Sequence, residues 1–330
     1  MRAPIVSLLV CLVAVSPAGA WNATGHKLIS SLAFRQLSAA DQGRVVAILQ
    51  RHPRFTPDFA DEMPPEVKAG DEAMQNEWLF QQAGIWADIV RGGPPERTAF
   101  HRPTWHYVDL PHFLNDTTRA DLDGQIKENV ALDPPPTATP ELQEMNVTQT
   151  IRLARRLAAD KQAAPETRAL MLAWLFHAVG DLHQPCHSTQ LYSNRLFPEG
   201  DQGANKIKLV QSFNLHALWD GFLGQDAEFR AVRNRAIAMS ADAKWMKLGQ
   251  EAAADLDAKS WRDESHLVAV TVVYDAELMI ALRNVEASAD PLEPLTLSED
   301  YLRMGGRNAE RRVVQASYRL AAVLKAIVAD

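Results

Sequence analysis

The segment HAVGDLHQPCH, from His177 to His187, holds three histidines and one aspartate within eleven residues. Its first residues lie at the end of a predicted helix, ahead of Pro185, a residue that interrupts helical hydrogen bonding. His177 and Asp181 are four residues apart, so on a helix their side chains project from the same face. An imidazole and a carboxylate placed in this way can bond to each other or bind a shared metal ion.

The same spacing recurs at His216 and Asp220, within the sequence NLHALWDG. For a single pair, a hydrogen bond on the helix surface is the simpler interpretation. Two pairs, together with His183 and His187 of the first segment, favour metal binding. Facing helices of a bundle supply nitrogen and oxygen ligands to shared ions in this way.

Apolar residues recur along the chain at spacings of three and four, whereas alternating runs are scarce. This pattern predicts an all-α fold. Stretches rich in Pro and Gly at 92–95, 133–140 and 197–203 indicate loops, and none is long enough to separate domains. We therefore predict one mainly helical domain over 21–330. Its helices are expected at 24–37, 72–90, 141–159, 166–181, 212–221, 226–239, 244–260, 264–285 and 299–328.

The composition is that of a globular protein, with 330 residues of which 47% are hydrophobic. The 34 basic and 41 acidic residues give a formal net charge of -7. This balance argues against a broad basic surface for duplex DNA, because affinity for phosphates is mostly cationic neutralisation. A metal site would still supply positive charge locally.

Residues 1–20 have the features of a secretory signal: a charge at Arg2, an apolar run over 5–15 and the small residues Ala18-Gly19-Ala20. We expect cleavage between Ala20 and Trp21 and a protein that is secreted or periplasmic. The apolar run is shorter than the roughly 20 residues that a spanning helix needs, so no stable membrane insertion is expected.

Cysteine usage fits this prediction. The chain has two cysteines, and Cys11 would leave with the signal, so no intramolecular disulfide is expected. Cys186 is interpreted as a small buried side chain and not as a metal ligand. Acylation of Cys11, as in a lipoprotein, is the alternative, but Val10 is bulky where a small residue is required.

Three further residues are candidates for the metal site because of their sequence surroundings. Asp88 in WAD and His106 in WHYVD are polar residues among large aromatic ones, and His26 lies near the start of the first predicted helix. Taken singly, Asp88 and His106 are compatible with hydrogen-bonded core groups, and His26 with an ordinary histidine at a helix start.

Together, these segments resemble the single-strand-specific zinc nucleases, a family that comprises the fungal S-one and P-one types, plant bifunctional nucleases and bacterial relatives. The family lies within the zinc phospholipase C superfamily. The resemblance runs from Trp21 to about Asp220, and WRDES at 261–265 is also similar. The matching segments are Trp21 with His26, Asp88 in WAD, His106 in WHY, HxxxGDxHQPxH at 177–187, the glycine-rich run at 200–205 and NLHxxWD at 214–220.

The resemblance implies a helical domain with three zinc ions per chain in a cleft. All nine implied ligand positions carry the expected residue type, and Asp181 is implied to bridge two of the ions as a catalytic residue. His183 is not implied as a ligand. One ion would be held by Asp88, His106 and His177, a second by His187, His216 and Asp220, and the third by His26 with the α-amino group and carbonyl of Trp21.

Elementary chemistry agrees with this ligand set. The α-amino group of Trp21 exists only after Ala20 is removed, and its usual pKa of about 8 needs only a modest shift for coordination. Export would thus complete the site. Three aspartates contribute -3 and three zinc ions +6, so the site would carry roughly +3 within an acidic protein.

Four residues are implied to act on the substrate. Arg91, one turn beyond Asp88, matches the arginine that contacts the phosphate as a catalytic residue; a solvated arginine at a helix end is the alternative. Tyr107 is implied to stack on an unpaired base, which favours single strands, unless it packs in the core. Asp109 and Asn205 match positions that hydrogen-bond the base edge.

Three functions remain open from the sequence. The resemblance favours a secreted, monomeric zinc endonuclease that hydrolyses single-stranded DNA and RNA to 5′-phosphonucleotides and also acts on 3′-nucleotides. A zinc phospholipase C acting on phosphatidylcholine is the second. Two features count against it: the short sequence spacing between Trp21 and His26, and the presence of an aspartate at position 220. Phospholipid is kept as a side substrate. The third is a non-catalytic zinc-binding helical protein, which predicts fully coordinated ions.

Overall fold

The structure is a computed structural model that describes residues 21–288 and 290–329. Helices make up most of this part of the chain, which confirms the predicted all-α fold. The α-helices of the described residues are α1 (Ala23–Arg35), α2 (Ala39–Leu49), α3 (Pro65–Lys68), α4 (Glu72–Ile89), α5 (Pro95–Thr98), α6 (Asp116–Leu122), α7 (Val147–Ala159), α8 (Pro165–Leu182), α9 (Leu215–Gly221), α10 (Phe229–Ala241), α11 (Ala243–Ala252), α12 (Ala258–Val268), α13 (Ala276–Ser288) and α14 (Glu299–Val328).

In the described residues, two short strands, β1 (Pro111–Phe113) and β2 (Gln190–Tyr192), form a parallel pair. A 3₁₀ turn at Pro103–His106 precedes β1, and another at Pro185–Ser188 precedes β2. The strand pairing therefore fixes these two turns beside each other, and each turn carries a predicted ligand histidine.

Helix α8 is the centre of the larger hydrophobic core. Its residues 169–182 are all buried, and it packs against α1, α2, α4, α7 and α14. The rings of Trp105 and Trp174 fill space beside it, with centroids 4.8 Å apart. Polar side chains on a fully buried helix are costly unless they have partners, so His177 and Asp181 require such partners here.

The predicted helix over 141–159 begins late, at Val147, because Asn146 caps it. The side chain of Asn146 accepts the backbone N–H of Gln149 at 3.0 Å, and Gln149 Oε1 accepts the backbone N–H of Asn146 at 3.0 Å. This reciprocal capping satisfies donors that would otherwise have no partner at the helix start. The boundary at 141 was wrong.

The predicted helices over 244–260 and 264–285 are also wrong at their boundaries. Helix α11 ends at Ala252, and Asp257 caps the separate helix α12. A π-helical turn at Ala269–Val273 then separates α12 from α13. Its sequence AVTVV is rich in β-branched residues, which are restricted against the preceding helical turn.

Several elements have no counterpart among the predictions. These are helices α2, α3, α5 and α6 and both strands, and α5 begins at Pro95 inside a predicted loop. Helices α9 and α10 begin later than predicted, after the caps Asn214 and Glu228.

The predicted secretory signal and its cleavage site lie at or before the edge of the described residues. Within those residues, no single helix has the length and hydropathy needed to cross a bilayer. One pair, Ala258–Val273 with Ala276–Ser288, reaches that length and composition only when its two members, bent by 70°, are taken together.

Candidate metal centre

The fold brings eight of the nine predicted ligand residues together in three groups of side chains. Within each group, the potential ligand atoms lie within 4.8 Å of one another. The residues come from α1, α4, α8, α9 and the two 3₁₀ turns, which are far apart in the sequence. The groups are His26, Asp88 and His177; His106, His177 and Asp181; and His187, His216 and Asp220.

Asp181 lies between three imidazole rings. Its Oδ2 is 2.9 Å from His106 Nδ1 and 3.1 Å from His177 Nε2, and its Oδ1 is 3.1 Å from His26 Nε2. Burial disfavours the charged carboxylate, but His177 and the hydrogen bonds from the rings outweigh it and hold the pKa of Asp181 well below its usual value. Asp181 is therefore an anion at neutral pH. It belongs to the second group, which shares His177 with the first, and its Oδ1 also faces His26 of the first group.

The third group places two ring nitrogens face to face. His187 Nδ1 donates to His106 O at 2.6 Å, and His216 Nδ1 donates to Gly203 O at 2.6 Å. A carbonyl only accepts, so these bonds assign the proton of each neutral ring to Nδ1 and leave a lone pair on Nε2. The two Nε2 atoms are 3.1 Å apart.

This arrangement fits a cation. Burial lowers the pKa of both rings, to about 3 for His216, so neither ring gains a second proton at neutral pH. Neither Nε2 can then donate to the other, and the repulsion between the two lone pairs is relieved when both bind one positive ion.

Buried atoms without a hydrogen-bond partner in the first two groups also indicate a cation site. His26 Nε2 and Asp181 Oδ1 are both buried and lie 3.1 Å apart, yet neither has a hydrogen-bond partner. Each such atom costs about 1–3 kcal/mol if nothing satisfies it. Imidazole nitrogens and carboxylate oxygens at these spacings are the donor set that zinc takes in proteins. The residues present therefore fit zinc.

Close packing at Gly180 allows the centre to form. A Cβ on this residue would lie 2.6 Å from His26 Nδ1 and 2.8 Å from His26 Cε1. The ring of His26 therefore reaches Asp181 across α8 only because position 180 has no side chain. The ring also stacks on His177, with centroids 4.1 Å apart.

A strained loop supports the third group. Gln202, Gly203 and Ala204 have φ values of 60°, 59° and 70°, a left-handed conformation that costs about 1–3 kcal/mol for a residue with a side chain. The loop aims the carbonyl of Gly203 at His216 Nδ1. Left-handed non-glycine residues cluster at active sites and ligand-binding loops, where the surrounding structure holds them in place.

Trp21 is the ninth predicted ligand residue. Its side chain is buried, and a Cβ on Gly25 would lie 2.7 Å from Trp21 Cβ, so the start of α1 packs closely against it. The next residue, Asn22, places its backbone N 3.4 Å from Asp220 O. The beginning of α1 thus lies beside α9 and its predicted ligand Asp220.

A cleft of about 440 Å³ opens beside the metal centre. Four predicted residues line it together with His106, His187 and His216: these are Arg91, Tyr107, Asp109 and Asn205. Arg91 Nη2 lies 2.9 Å from Asp88 Oδ1, which places the guanidinium at the border between the cleft and the first group. Burial, reinforced by Asp201, raises the pKa of Asp109 to about 6.

Comparison with known proteins decides the family. The family model described as S1/P1 Nuclease matches residues 21–329. The chain belongs to the S1/P1 nuclease family. It is therefore a nuclease, an enzyme that hydrolyses nucleic acid. The S1/P1 nucleases are zinc-dependent and generally secreted.

Three Arabidopsis thaliana relatives show how far the similarity extends. Endonuclease 2 is 24% identical over 315 residues, which cover 93% of this chain and 90% of the plant protein. Endonuclease 1 is 23% identical and covers 100% of this chain and 94% of its own length. Endonuclease 4 is 29% identical, but the match covers 49% of this chain and spans about half, 50%, of the plant protein.

Sequence reasoning missed residues that support the nuclease site without belonging to the three groups. Gln184 Nε2 donates to Asp220 Oδ1 at 2.7 Å, and Gln184 Oε1 accepts the backbone N–H of Cys186 at 2.6 Å. Gln184 stands inside the motif HQP, yet an amide in that position carries no signal of its own. Glu199 and Gln190 also line the cleft, and no motif marks them.

The remaining histidines of this family member lie outside the three groups. His52 packs against Trp86 with ring centroids 4.4 Å apart, and His266 Nδ1 is 2.8 Å from Thr189 Oγ1. His183 is fully buried and bonds to Val179 and Arg319. Cys186 is buried and free, as expected for a small core side chain.

Proposed function

We propose that the chain is a secreted zinc endonuclease that cleaves single-stranded DNA and RNA to 5′-phosphonucleotides and also hydrolyses 3′-nucleotides. The observation that carries this proposal is the placement of the three groups of His and Asp beside one open cleft. An open cleft beside the metal ligands leaves room for water and a phosphate, whereas a storage site would enclose its ions. We further propose that the active form is a monomer comprising residues 21–330.

The proposed site holds three zinc ions. Asp181 is proposed as the bridging ligand, and its contacts with His26 of the first group and His106 of the second support this role. Bound zinc supplies a Lewis acid that polarises phosphate oxygens and lowers the pKa of water. The proposed ligands are Asp88, His106 and His177 for one ion, His187, His216 and Asp220 for a second, His26 with the α-amino group and carbonyl of Trp21 for a third, and Asp181 as the bridge.

Removal of residues 1–20 is part of the proposal, because only then does Trp21 have an α-amino group. The packing of Asn22 against Asp220 supports it, since it holds this end of α1 beside the ligand helices. Metal loading would thus follow export, and the uncleaved chain would lack one proposed ligand.

Within the cleft, Arg91 is the proposed contact for the scissile phosphate. Its guanidinium would offset negative charge that builds on the phosphate oxygens in the transition state. The ion pair with Asp88 holds the guanidinium near the metal centre before substrate binds.

Tyr107, Asp109 and Asn205 are the proposed contacts for one unpaired base. A base can stack on Tyr107 only when it is free of its partner strand, which would favour single-stranded substrates. Because the pKa of Asp109 is about 6, this carboxyl group donates a hydrogen bond below that pH and accepts one above it. We therefore expect base preference to change around pH 6.

The deciding experiment uses the chain starting at Trp21, loaded with zinc, and incubates it with single-stranded DNA, RNA and phosphatidylcholine in parallel. Nucleoside 5′-monophosphates whose release stops with a chelator would support the proposal. Phosphocholine release with intact nucleic acid would contradict the roles given to Tyr107, Asp109 and Asn205. Absence of any turnover at full zinc occupancy would favour a non-catalytic zinc protein.

A further inference from the structure

A second polar cluster lies behind the metal centre, at the C-terminal end of α8. We call it the α8 clamp. None of its members belongs to the three ligand groups, although one lies in the motif that runs from 177 to 187. The α8 clamp consists of His183, which follows the last residue of α8, Glu264 and Ser265 of α12, and Arg312 and Arg319 of α14.

The clamp holds backbone carbonyls that the helix itself leaves without a partner. The last carbonyls of a helix have no intrahelical donor. Ser265 Oγ donates to Leu182 O, and Arg312 Nε donates to His183 O at 3.3 Å. Cationic side chains at a helix C-terminus are also favoured by the helix dipole. The end of α8 is therefore bonded to α12 and α14 at two successive residues.

The ring of His183 is fixed at both nitrogens. Its Nδ1 donates to Val179 O at 2.7 Å, and its Nε2 accepts from Arg319 Nη1 at 3.0 Å. An arginine only donates, so His183 Nε2 keeps its lone pair and uses it for Arg319. This nitrogen is consequently not available to a metal ion, unlike Nε2 of His187 and His216.

Glu264 completes the charge balance of the clamp. Its Oε2 accepts from Arg312 Nη1 at 2.8 Å and from Arg319 Nη1 at 2.6 Å, and its Oε1 accepts from Arg319 Nη2 at 2.7 Å. Arg312 and Arg319 are each 2% exposed. Two buried guanidinium groups share one carboxylate, so the second positive charge depends on the carbonyl and imidazole acceptors of the α8 end.

The clamped residues stand between two predicted ligands. Asp181 precedes Leu182 directly, and the turn that follows leads to His187 through Gln184, whose carbonyl accepts the backbone N–H of His187 at 3.0 Å. A displacement of His183 would therefore move Asp181 on one side and His187 on the other. These two residues belong to different ligand groups.

We propose that the α8 clamp positions Asp181 and His187 for zinc binding. His183 and Arg312 act as positioning residues, since neither touches the cleft. The inference rests on the proposed function, because it assumes that these groups bind zinc. Groups that orient metal ligands from behind commonly change metal affinity about 10- to 100-fold when they are removed.

The test measures zinc affinity of the chain starting at Trp21 by competition with a chromogenic chelator. Arg312→Met and His183→Asn are the test variants; the asparagine amide keeps a donor for Val179 O and removes the acceptor for Arg319. Arg262→Met is the matched control. Like Arg312 of α14, Arg262 of α12 is a buried arginine, but it bonds to Val130 and Asp263 and not to the α8 end.

We expect zinc affinity to fall about 10- to 100-fold in both test variants and to stay unchanged in Arg262→Met. Arg312→Lys should recover part of the lost zinc affinity, because lysine keeps the positive charge but lacks the several N–H donors of the guanidinium group. The absorption spectrum of cobalt substituted for zinc should shift in the test variants, since the ligand geometry changes. A lower melting temperature in itself would not produce this shift.

Two outcomes would overturn the inference while leaving the proposed function intact. One is unchanged zinc affinity and an unchanged cobalt spectrum in both test variants, which would make the clamp a purely structural feature. The other is loss of a whole zinc equivalent in His183→Asn but not in Arg312→Met, which would make His183 itself a ligand. Failure of the unmodified chain to bind zinc would instead contradict the proposed function.

Discussion

The buried histidines that bond a backbone carbonyl through Nδ1 differ in the group that their other ring nitrogen, Nε2, contacts. His177, His187 and His216 each bond through Nδ1 to a backbone carbonyl, and their Nε2 atoms face other ligand residues. His183 also bonds through Nδ1 to a carbonyl, but its Nε2 meets Arg319. Sequence spacing indicates which histidines lie near one another. Only the tertiary partner of each nitrogen separates a proposed metal ligand from a proposed positioning residue.

Arg91→Ala tests the proposed phosphate contact. The change removes the guanidinium that lies 2.9 Å from Asp88 Oδ1, so we expect turnover to fall about 100-fold or more, as for other transition-state donors. Zinc content should stay the same, because Arg91 is not a ligand. Steady-state kinetics on single-stranded DNA and zinc analysis of the same sample check both points.

Arg44→Ala is the matched control for Arg91→Ala. Arg44 forms the same type of pair, to an aspartate three residues earlier, with Arg44 Nη2 2.6 Å from Asp41 Oδ1 on the surface of α2. Turnover should be unchanged in this variant. Loss of zinc together with activity in Arg91→Ala would assign this arginine to the stability of the centre instead.

At the scale of elements, long periodic helices are predictable from the sequence and interruptions are not. The helices over 72–90 and 299–328 were predicted within a residue or two of α4 and α14. The breaks at Asp257 and at Ala269–Val273 depend on a side-chain cap and on a π turn, and apolar spacing continues through both. The strands have three residues each, too few to show alternation.

The proposed ligand residues could be selected from the sequence because their segments are local, whereas the point where they meet depends on the fold. Spacing within 177–187 and 214–220 places two His/Asp pairs on helices. That α1 approaches α8 closely enough for His26 to reach Asp181 depends on the missing side chain at Gly180, and no spacing rule expresses this.

Gly180→Ala tests that close approach between two helices. The added Cβ would meet His26 Nδ1 at 2.6 Å, so the ring must move and the contact between α1 and α8 must loosen. We expect a loss of about 1–3 kcal/mol in the free energy of unfolding, as for other overpacked sites, together with weaker zinc binding. Urea unfolding and zinc competition measure the two effects.

Gly43→Ala is the control for that substitution, since a Cβ at Gly43 in α2 would meet nothing within 4 Å. Alanine should stabilise this variant by about 0.5–1 kcal/mol because it restricts the unfolded chain and favours helix. Equal behaviour of the two variants would show that close packing at Gly180 is not what places His26.

For the whole molecule, stability should depend on pH through buried histidines outside the metal centre. Burial lowers the pKa of His52 to about 3, and its Nδ1 accepts the backbone N–H of Arg54 at 3.1 Å, which requires a neutral ring. In the unfolded chain this histidine takes up a proton near pH 6.5, so its contribution to stability is present above that pH. The contribution is lost as pH falls from 6.5 towards 3.

His52→Asn should therefore flatten the pH dependence, since its amide oxygen can replace Nδ1 as acceptor and does not titrate. From pH 7 to pH 5, the unmodified chain should lose about 2 kcal/mol more of its free energy of unfolding than the variant. Urea unfolding at both pH values, with the same zinc concentration, gives this difference. Parallel pH curves for the two proteins would contradict a neutral His52.

The metal centre joins segments that are distant along the chain, so zinc should stabilise the whole fold. Its proposed ligands come from α1, α4, α8, α9 and two 3₁₀ turns, and the unfolded chain cannot bring them together. At a thousandfold excess over its dissociation constant, each ion adds about 4 kcal/mol to the free energy of unfolding. We expect a chelator to lower the melting temperature strongly, and added zinc to restore it.

Asp220→Asn separates a bound ion from a general effect of the chelator. Asparagine keeps an oxygen for Gln184 Nε2, which bonds Asp220 Oδ1 at 2.7 Å, but it removes the carboxylate charge from the third group. This variant should bind one ion weakly, so the chelator should lower its melting temperature less than that of the unmodified chain. Equal shifts in the two proteins would mean that the third group adds no metal-dependent stability, and the proposed ligand set would have to exclude it.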